Sequence, residues 1–405
     1  MRRLYFDHAA STPVDARVLR AMRPYFSREF GNPGSLHSYG QKAIAAVDAS
    51  REKIGALIGA KHFREIIFTS GATEANNLTL RGAVEFYKKD HPDVAHPRVI
   101  ISSIEHESIL ETAQALERDG VEVITLPVNK EGVIDIVALK EALNEHTVVV
   151  SIMHVNNEVG TIQPLREIKF MIDAFRKELP GADAAHPVAY PLLHTDAAQS
   201  FPYLYCDVAM LGVDMMTLSA HKMNGPKGVG ALYVRRDEKL FRESGGFPLA
   251  AQVSGGGQEF GVRSGTENVP GIVGFARAAE LAAAARGKNA TRVAALRDEL
   301  WRRIKAATPA AEINGPMGDA KAPHILNVCF PGCAAQDLLT RFDRAGLAAS
   351  SGSACRSRAA ESSYVIEALG YNKARAGSSI RFSLGKDTTK GGVIAAAKII
   401  EKALR

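Results

Sequence analysis

Apolar residues along the chain follow two periods, and the order in which these alternate says most about the fold. Seven short runs, EIIFT, RVIISS, VEVITL, TVVVSIMHV, AYPLLHTD, DMMTLS and GALYV, are almost continuously apolar, as strands buried on two faces are. Between them the apolar spacing changes to three and four residues over 74–87, 108–118, 136–143 and 165–179, which predicts helices. Strand followed by helix, repeated, predicts a mostly parallel sheet covered by helices. Upstream, 14–26 and 41–58 also read as helices, the second with Ile44, Val47, Ile54 and Leu57 on one apolar face and an end near Gly59. After SGTENVP the pattern predicts an alanine-rich helix over 271–286 and a charged one over 292–307. Beyond Pro309, ILNVCF, LLTRFDRAGL, SYVIEALG and SIRFSLG mix strands and helices in a smaller second unit, and GADAAHP at 181–187 reads as a surface loop.

Composition narrows the class. A chain of 405 residues with 46% hydrophobic content is long enough for two globular domains. The net charge of +6 is scattered over predicted helices, which gives no basis for nucleic-acid binding. Four cysteines, Cys206, Cys329, Cys333 and Cys355, are too few for a disulfide framework and suit a reducing cytosol. Cys329 and Cys333 read as core rather than metal ligands, because His324 is the only imidazole nearby and no further thiol is close. The start MRRLYFDHAASTP has no apolar run behind its arginines, and no stretch of about eighteen apolar residues occurs, so neither export nor membrane insertion is expected.

Candidate chemistry gathers at the ends of the predicted strands. In DMMTLSAHKMNGPKGVGALYV, Lys222 stands between a strand and a glycine-rich turn, with Ser219 and His221 beside it. Lysine becomes a nucleophile when its pKa is lowered or when a carbonyl partner captures it, and pyridoxal phosphate is such a partner. Alone, a surface lysine in a turn is the plainer reading. Asp196 closes an upstream strand, where it could hold a protonated ring nitrogen or cap the next helix. SGATEANN follows EIIFT and opens a helix, so Ala72 and Thr73 mark either an anion site or an ordinary helix cap. His106 ends another strand, Asn157 and Gln199 fit polar contacts or turns, and Arg381 fits a carboxylate grip or a structural anchor. Cys355 lies in AASSGSACRSRAAESS, a small polar stretch that reads as a loop, where Arg356 and Arg358 favour the thiolate.

FTSGATEANN, EHES, SIMHVNNEVGTIQP, HTDAAQS, LSAHKMNGPKG, GGGQEFGVRSGTENV, SSGSAC and SSIRFSLG, in this order from Phe68 to Gly385, resemble the motifs of the cysteine desulfurases. These form the iron-sulfur-cluster and nitrogen-fixation branch of the class V aminotransferase family of pyridoxal-phosphate enzymes. The resemblance implies the α/β fold type I: a large cofactor-binding domain over 16–285, and a smaller α+β domain of 1–15 and 286–405 that carries the Cys355 loop. It implies conversion of L-cysteine to L-alanine with transfer of sulfur to Cys355 as a persulfide, then to an acceptor protein such as an iron-sulfur scaffold. Lys222 would bind the cofactor and move the α-proton, Asp196 the ring nitrogen, and His106 would stack on the ring and shuttle protons. Asn157 and Gln199 would contact the ring, Arg381 the substrate carboxylate, and Ala72, Thr73, Ser219, His221 and Thr266 the phosphate. Thr266 would come from the neighbouring subunit, which implies a homodimer. Selenocysteine lyase, with the same fold and cofactor, and a non-catalytic sulfur-transfer scaffold are the alternatives. The chain continues only 20 residues past Gly385, where related enzymes carry a longer scaffold-docking tail, so that partner is left open.

Overall fold

The computed structural model describes residues 3–179, 189–238, 241, 245–352 and 362–405. The chain enters through β1 (Leu4–Tyr5), α1 (Ala16–Met22), α2 (Pro24–Ser27) and α3 (Ser38–Ile58). The one helix expected over 14–26 is thus two. Pro24 has no N–H to continue α1 and sits at the first position of α2, which it suits. The end of α3 is as the sequence suggests, with Gly59 in the left-handed conformation (φ +72°).

All seven apolar runs are strands of one sheet: β2 (Ile66–Thr69), β3 (Arg98–Ser102), β4 (Glu122–Leu126), β5 (Thr147–Ser151), β6 (Leu192–Asp196), β7 (Met215–Ser219) and β8 (Gly230–Val234), in the order β2-β8-β7-β6-β5-β3-β4. Only β8 runs antiparallel to its neighbours. Alternate residues serve opposite faces. Ile66, Phe68, Ile100, Val150 and Leu218 join a core with α3, α6 (Ile136–Ala142) and α7 (Leu165–Glu178). Ile67, Val99, Ile101, Val149 and Leu232 join the other core with α4 (Ala72–Asp90) and α5 (Glu107–Arg118). Burial on both sides is why the strands other than β4 read as apolar runs; β4 lies at the sheet edge and is partly exposed.

After α8 (Val208–Leu211), the chain forms α9 (Val269–Ala307), a single helix of 39 residues where two were expected. At 1.5 Å per residue it is about 58 Å long. The gap expected between 286 and 292 begins at Gly287, yet one glycine costs a helix only about 1 kcal/mol. Packing on either side outweighs that: Ile272, Phe275 and Ala279 sit in the large-sheet core, and Val293, Leu300 and Ile304 in a second core. The boundary expected at 285/286 therefore lies inside a continuous helix. The second core covers an antiparallel sheet of β9 (Glu312–Asn314), β10 (Ile325–Cys329) and β12 (Ser379–Ser383), in the order β12-β10-β9. Here α10 (Ala335–Arg344) and α13 (Lys390–Leu404) supply Phe342, Val393 and Ile400, and β1 pairs in parallel with β11 (Leu347–Ala348). The remaining helices are α11 (Tyr364–Ala368) and α12 (Lys373–Gly377). Among the described residues no helix is long and apolar enough to cross a membrane.

Candidate active site

A cavity of about 430 Å³ opens where the parallel strands end, the usual ligand position in an open α/β sheet. Ala72, Thr73, His106, Asn157, Asp196, Gln199, Ser219, His221, Lys222 and Arg381 all line it. Thr266 does not: it is exposed in the stretch before α9. Cys355 and its neighbours Arg356 and Arg358 lie outside the described residues, as does the loop expected at 181–187. A larger cavity of about 750 Å³ lies between the N-terminal strand and the start of α13, and none of the expected site residues reaches it.

Asp196 is the last residue of β6 and is buried, and its two oxygens have different donors. The Ala198 N–H donates to Oδ1 at 2.9 Å, and Asn76 Nδ2 donates to Oδ2 at 2.9 Å. Asn76 Nδ2 also donates to Ser108 Oγ at 2.8 Å, which lies 2.9 Å from His106 Nδ1. The Ser108 N–H donates to the same Nδ1 at 3.1 Å, so the neutral ring carries its proton on Nε2. Burial pushes the His106 pKa down, with Asp196 raising it and Lys222 lowering it. Asn76 was not singled out in the sequence. The available signal was its place one turn after Ala72, on the helix that opens the anion site.

Lys222 ends a short 3₁₀ turn after β7, and its ammonium donates to the carbonyls of Ala9 at 2.6 Å and Ala10 at 2.9 Å. Thr12 clamps the same turn: its Oγ1 donates to His221 O at 2.7 Å and accepts from the Asn224 N–H at 2.8 Å. Asn224 takes a left-handed φ of 62°, which asparagine tolerates. Ala9, Ala10 and Ser11 form a wall of the cavity, with Thr12 behind them on the Lys222 turn. Burial, with Lys222, Lys227 and His106, pushes the His221 pKa down to about 4, which leaves a neutral imidazole beside the lysine.

Gln199 is oriented through Nε2, which donates to Ala9 O at 2.9 Å, and through Oε1, 3.2 Å from His324 Nε2. Arg381, 2% exposed on β12, donates from Nη1 to Asn157 O and from Nη2 to Asp7 Oδ1, each at 2.9 Å. Glu105, also not singled out in the sequence, is buried next to His106 and accepts from Ser102 Oγ at 2.6 Å and the Met153 N–H at 2.8 Å. Burial raises its pKa to about 8.

These residues fit a phosphorylated, polar ring. The N-terminus of α4 has no side-chain cap, so its first N–H groups are available to an anion. Ser219 Oγ and Asn157 Oδ1 are buried without a hydrogen-bond partner among the described residues, a loss of about 1–3 kcal/mol each that a polar guest offsets. Gly230 lets the turn before α4 seat against β8: a Cβ there would lie 2.8 Å from the Gly71 backbone.

A seven-stranded sheet with one reversed strand, β8, a lysine on the turn between β7 and β8, and a carboxylate at the end of β6, the strand on the other side of β7, define an enzyme of fold type I. The Aminotransferase class-V family matches residues 4–395, and the chain belongs to that family. It is 43% identical over 403 residues to the "Cysteine desulfurase IscS" of Anaeromyxobacter sp. (strain Fw109-5), covering 99% of this chain and 92% of that protein. A solved "NIFS-LIKE PROTEIN" superimposes with a TM-score of 0.87 at 35% identity, covering 99% of this chain and 98% of the other. "SspA in complex with cysteine" superimposes with a TM-score of 0.77 at 35% identity, covering 94% of this chain and 98% of that one.

Proposed function

We propose that this protein is a pyridoxal-phosphate-dependent cysteine desulfurase, which converts L-cysteine to L-alanine and leaves the sulfur on Cys355 as a persulfide. The convergence of Lys222, Asp196, His106 and Arg381 on one cavity carries this reading. The relatives named as cysteine desulfurases and the related structure solved with cysteine support it. When bound, the cofactor supplies a carbonyl for the amino group and a ring that accepts the electron pair released at the α-carbon.

Ala72, Thr73, Ser219 and His221 would hold the phosphate, Asp196 the ring nitrogen, Asn157 and Gln199 the ring substituents, and His106 would contact the ring. Arg381 takes the substrate carboxylate by a paired charge-assisted contact. Lys222 Nζ removes the α-proton, and His106, neutral with its proton on Nε2, can pass one on. The Cys355 thiolate then attacks the substrate sulfur. A sulfur–sulfur bond forms, the carbon–sulfur bond breaks, and its electron pair stays with the carbon, which takes a proton to become the alanine methyl group. A protein thiol then receives the outer sulfur. Cys206, Cys329 and Cys333 are free, which suits the reducing compartment this chemistry needs.

The active unit is a homodimer in this reading. Thr266 is exposed and outside its own chain's cavity, and Phe26, Phe30 and Leu36 expose large apolar side chains, with Leu36 92% exposed. The experiment is Lys222→Ala in the purified protein supplied with the cofactor and cysteine. Alanine production and the visible absorbance of lysine-bound cofactor are both expected to vanish; turnover at the normal rate would show that the site is misassigned.

A further inference from the structure

Residues 353–361 lie outside the described structure, but the chain on either side of them is described, and both flanks meet one buried carboxylate. Glu158, 1% exposed, follows Asn157 directly. On the C-terminal flank Ser363 Oγ donates to Glu158 Oε2 at 2.5 Å, and the same hydroxyl caps α11 by accepting from the Ile366 N–H at 3.2 Å. The next residue, Tyr364, donates from its hydroxyl to the Glu105 carbonyl at 2.5 Å, one residue from His106. On the N-terminal flank Gly352 passes so close that a Cβ there would lie 3.0 Å from Glu158 Oε2, and its φ of +135° suits glycine alone. Ser350 Oγ donates to Gly352 O at 3.1 Å, and Ser350 exchanges two backbone hydrogen bonds with Arg381, at 3.1 and 2.6 Å.

Glu158 is itself fixed from three sides. Its N–H donates to Asn156 Oδ1 at 2.9 Å, its carbonyl accepts from Asn327 Nδ2 at 3.2 Å, and the Asn157 carbonyl before it accepts from Arg381. Burying a carboxylate is unfavourable unless strong donors satisfy it, and a charged acceptor holds a hydroxyl more tightly than a neutral one. We propose that Glu158 is a positioning residue: its carboxylate holds the Ser363 end of the segment that carries Cys355 by a hydrogen bond and packs against the Gly352 end, beside Asn157. This rests on the reading of Cys355 as the sulfur carrier. Fixing the described ends of a segment limits how far the groups it carries can range, so these anchors bear on how often the Cys355 thiol meets the substrate sulfur. Glu158 raises the effective concentration of that thiol without touching the reacting atoms.

The test uses the cofactor-loaded enzyme and the variants Glu158→Gln, Ser363→Ala and both together. Cofactor absorbance and the KM for cysteine should stay within about twofold of wild type, because the residues assigned to cofactor and carboxylate are untouched. Single-turnover persulfide formation on Cys355, and kcat, should fall about tenfold or more in Glu158→Gln and in the same direction in Ser363→Ala, as expected for loss of orientation. The double variant should be no slower than Glu158→Gln alone, because the two groups act through one contact. Persulfide formation at the wild-type rate in both single variants, or a loss only in proportion to lost cofactor, would overturn the proposal. If Glu158→Gln does not fold, Ser363→Ala decides, since it keeps the buried carboxylate in place. Cys355→Ser run alongside separates the two readings. Undiminished desulfuration there removes the sulfur-carrier reading, whereas its expected loss beside an unaffected Ser363→Ala removes the role of Glu158 alone.

Discussion

Asn76 shows how much of the site depends on a residue with no reactive chemistry of its own. Its amide group bonds Asp196 Oδ2 and Ser108 Oγ, and through Ser108 it sets the ring of His106. Removing it leaves a buried carboxylate oxygen short of a donor, which costs about 1–3 kcal/mol. Asn76→Ala should therefore lower the melting temperature and cut kcat/KM for cysteine about tenfold, the equivalent of roughly 1.4 kcal/mol. Wild-type values for both would show that Asp196 and His106 hold their places unaided. Glu105 carries a pH signature. Its carboxyl titrates near 4.5 when unperturbed and at about 8 in the fold, so between those values the folded chain holds one more proton than the unfolded chain. Stability contributed by this group is full below about 4.5 and is lost as the pH rises towards 8. Glu105→Gln resembles the protonated acid and should flatten the decline of melting temperature across that window. Equal slopes in the two proteins would contradict the shifted pKa.

At the scale of elements, six of the seven strands were legible because burial on both faces makes each a short apolar run, while β4, at the sheet edge and partly exposed, was legible from its β-branched residues. Most of the site was legible for a related reason: its residues end strands or open helices, and so fall beside recognisable patterns. Ala9, Ala10 and Thr12 were not, because they bind the Lys222 turn through backbone carbonyls and one hydroxyl, and backbone contacts leave no residue pattern. The continuity of α9 was not legible: the cost of Gly287 to the helix is local, while the packing that overcomes it is tertiary. This has a simple test. Gly287 is exposed and a Cβ there would meet nothing within 4 Å, so Gly287→Ala should stabilise the protein by about 0.4–1 kcal/mol. A lower melting temperature would argue for a break in the helix at that point.

The whole molecule, in this account, completes its site by pairing. A chain carrying Thr266→Ala combined with one carrying Lys222→Ala should concentrate both defects in the site built on the Lys222→Ala chain and leave the other intact. The mixed dimer should retain about half the wild-type activity and bind cofactor normally at one site, whereas loss at both sites would contradict a threonine shared across the interface. The central claim is that the cavity around Lys222 delivers the sulfur of cysteine to Cys355. Intact-protein and peptide mass spectrometry of the cofactor-loaded enzyme, after brief exposure to cysteine without reductant, tests it most directly. An added sulfur of about 32 Da is expected on the peptide containing Cys355, from the persulfide chemistry, with none on Cys206, Cys329 or Cys333. Sulfur found mainly on one of those three, or persulfide formed equally well when Lys222 is replaced by alanine, would contradict the account.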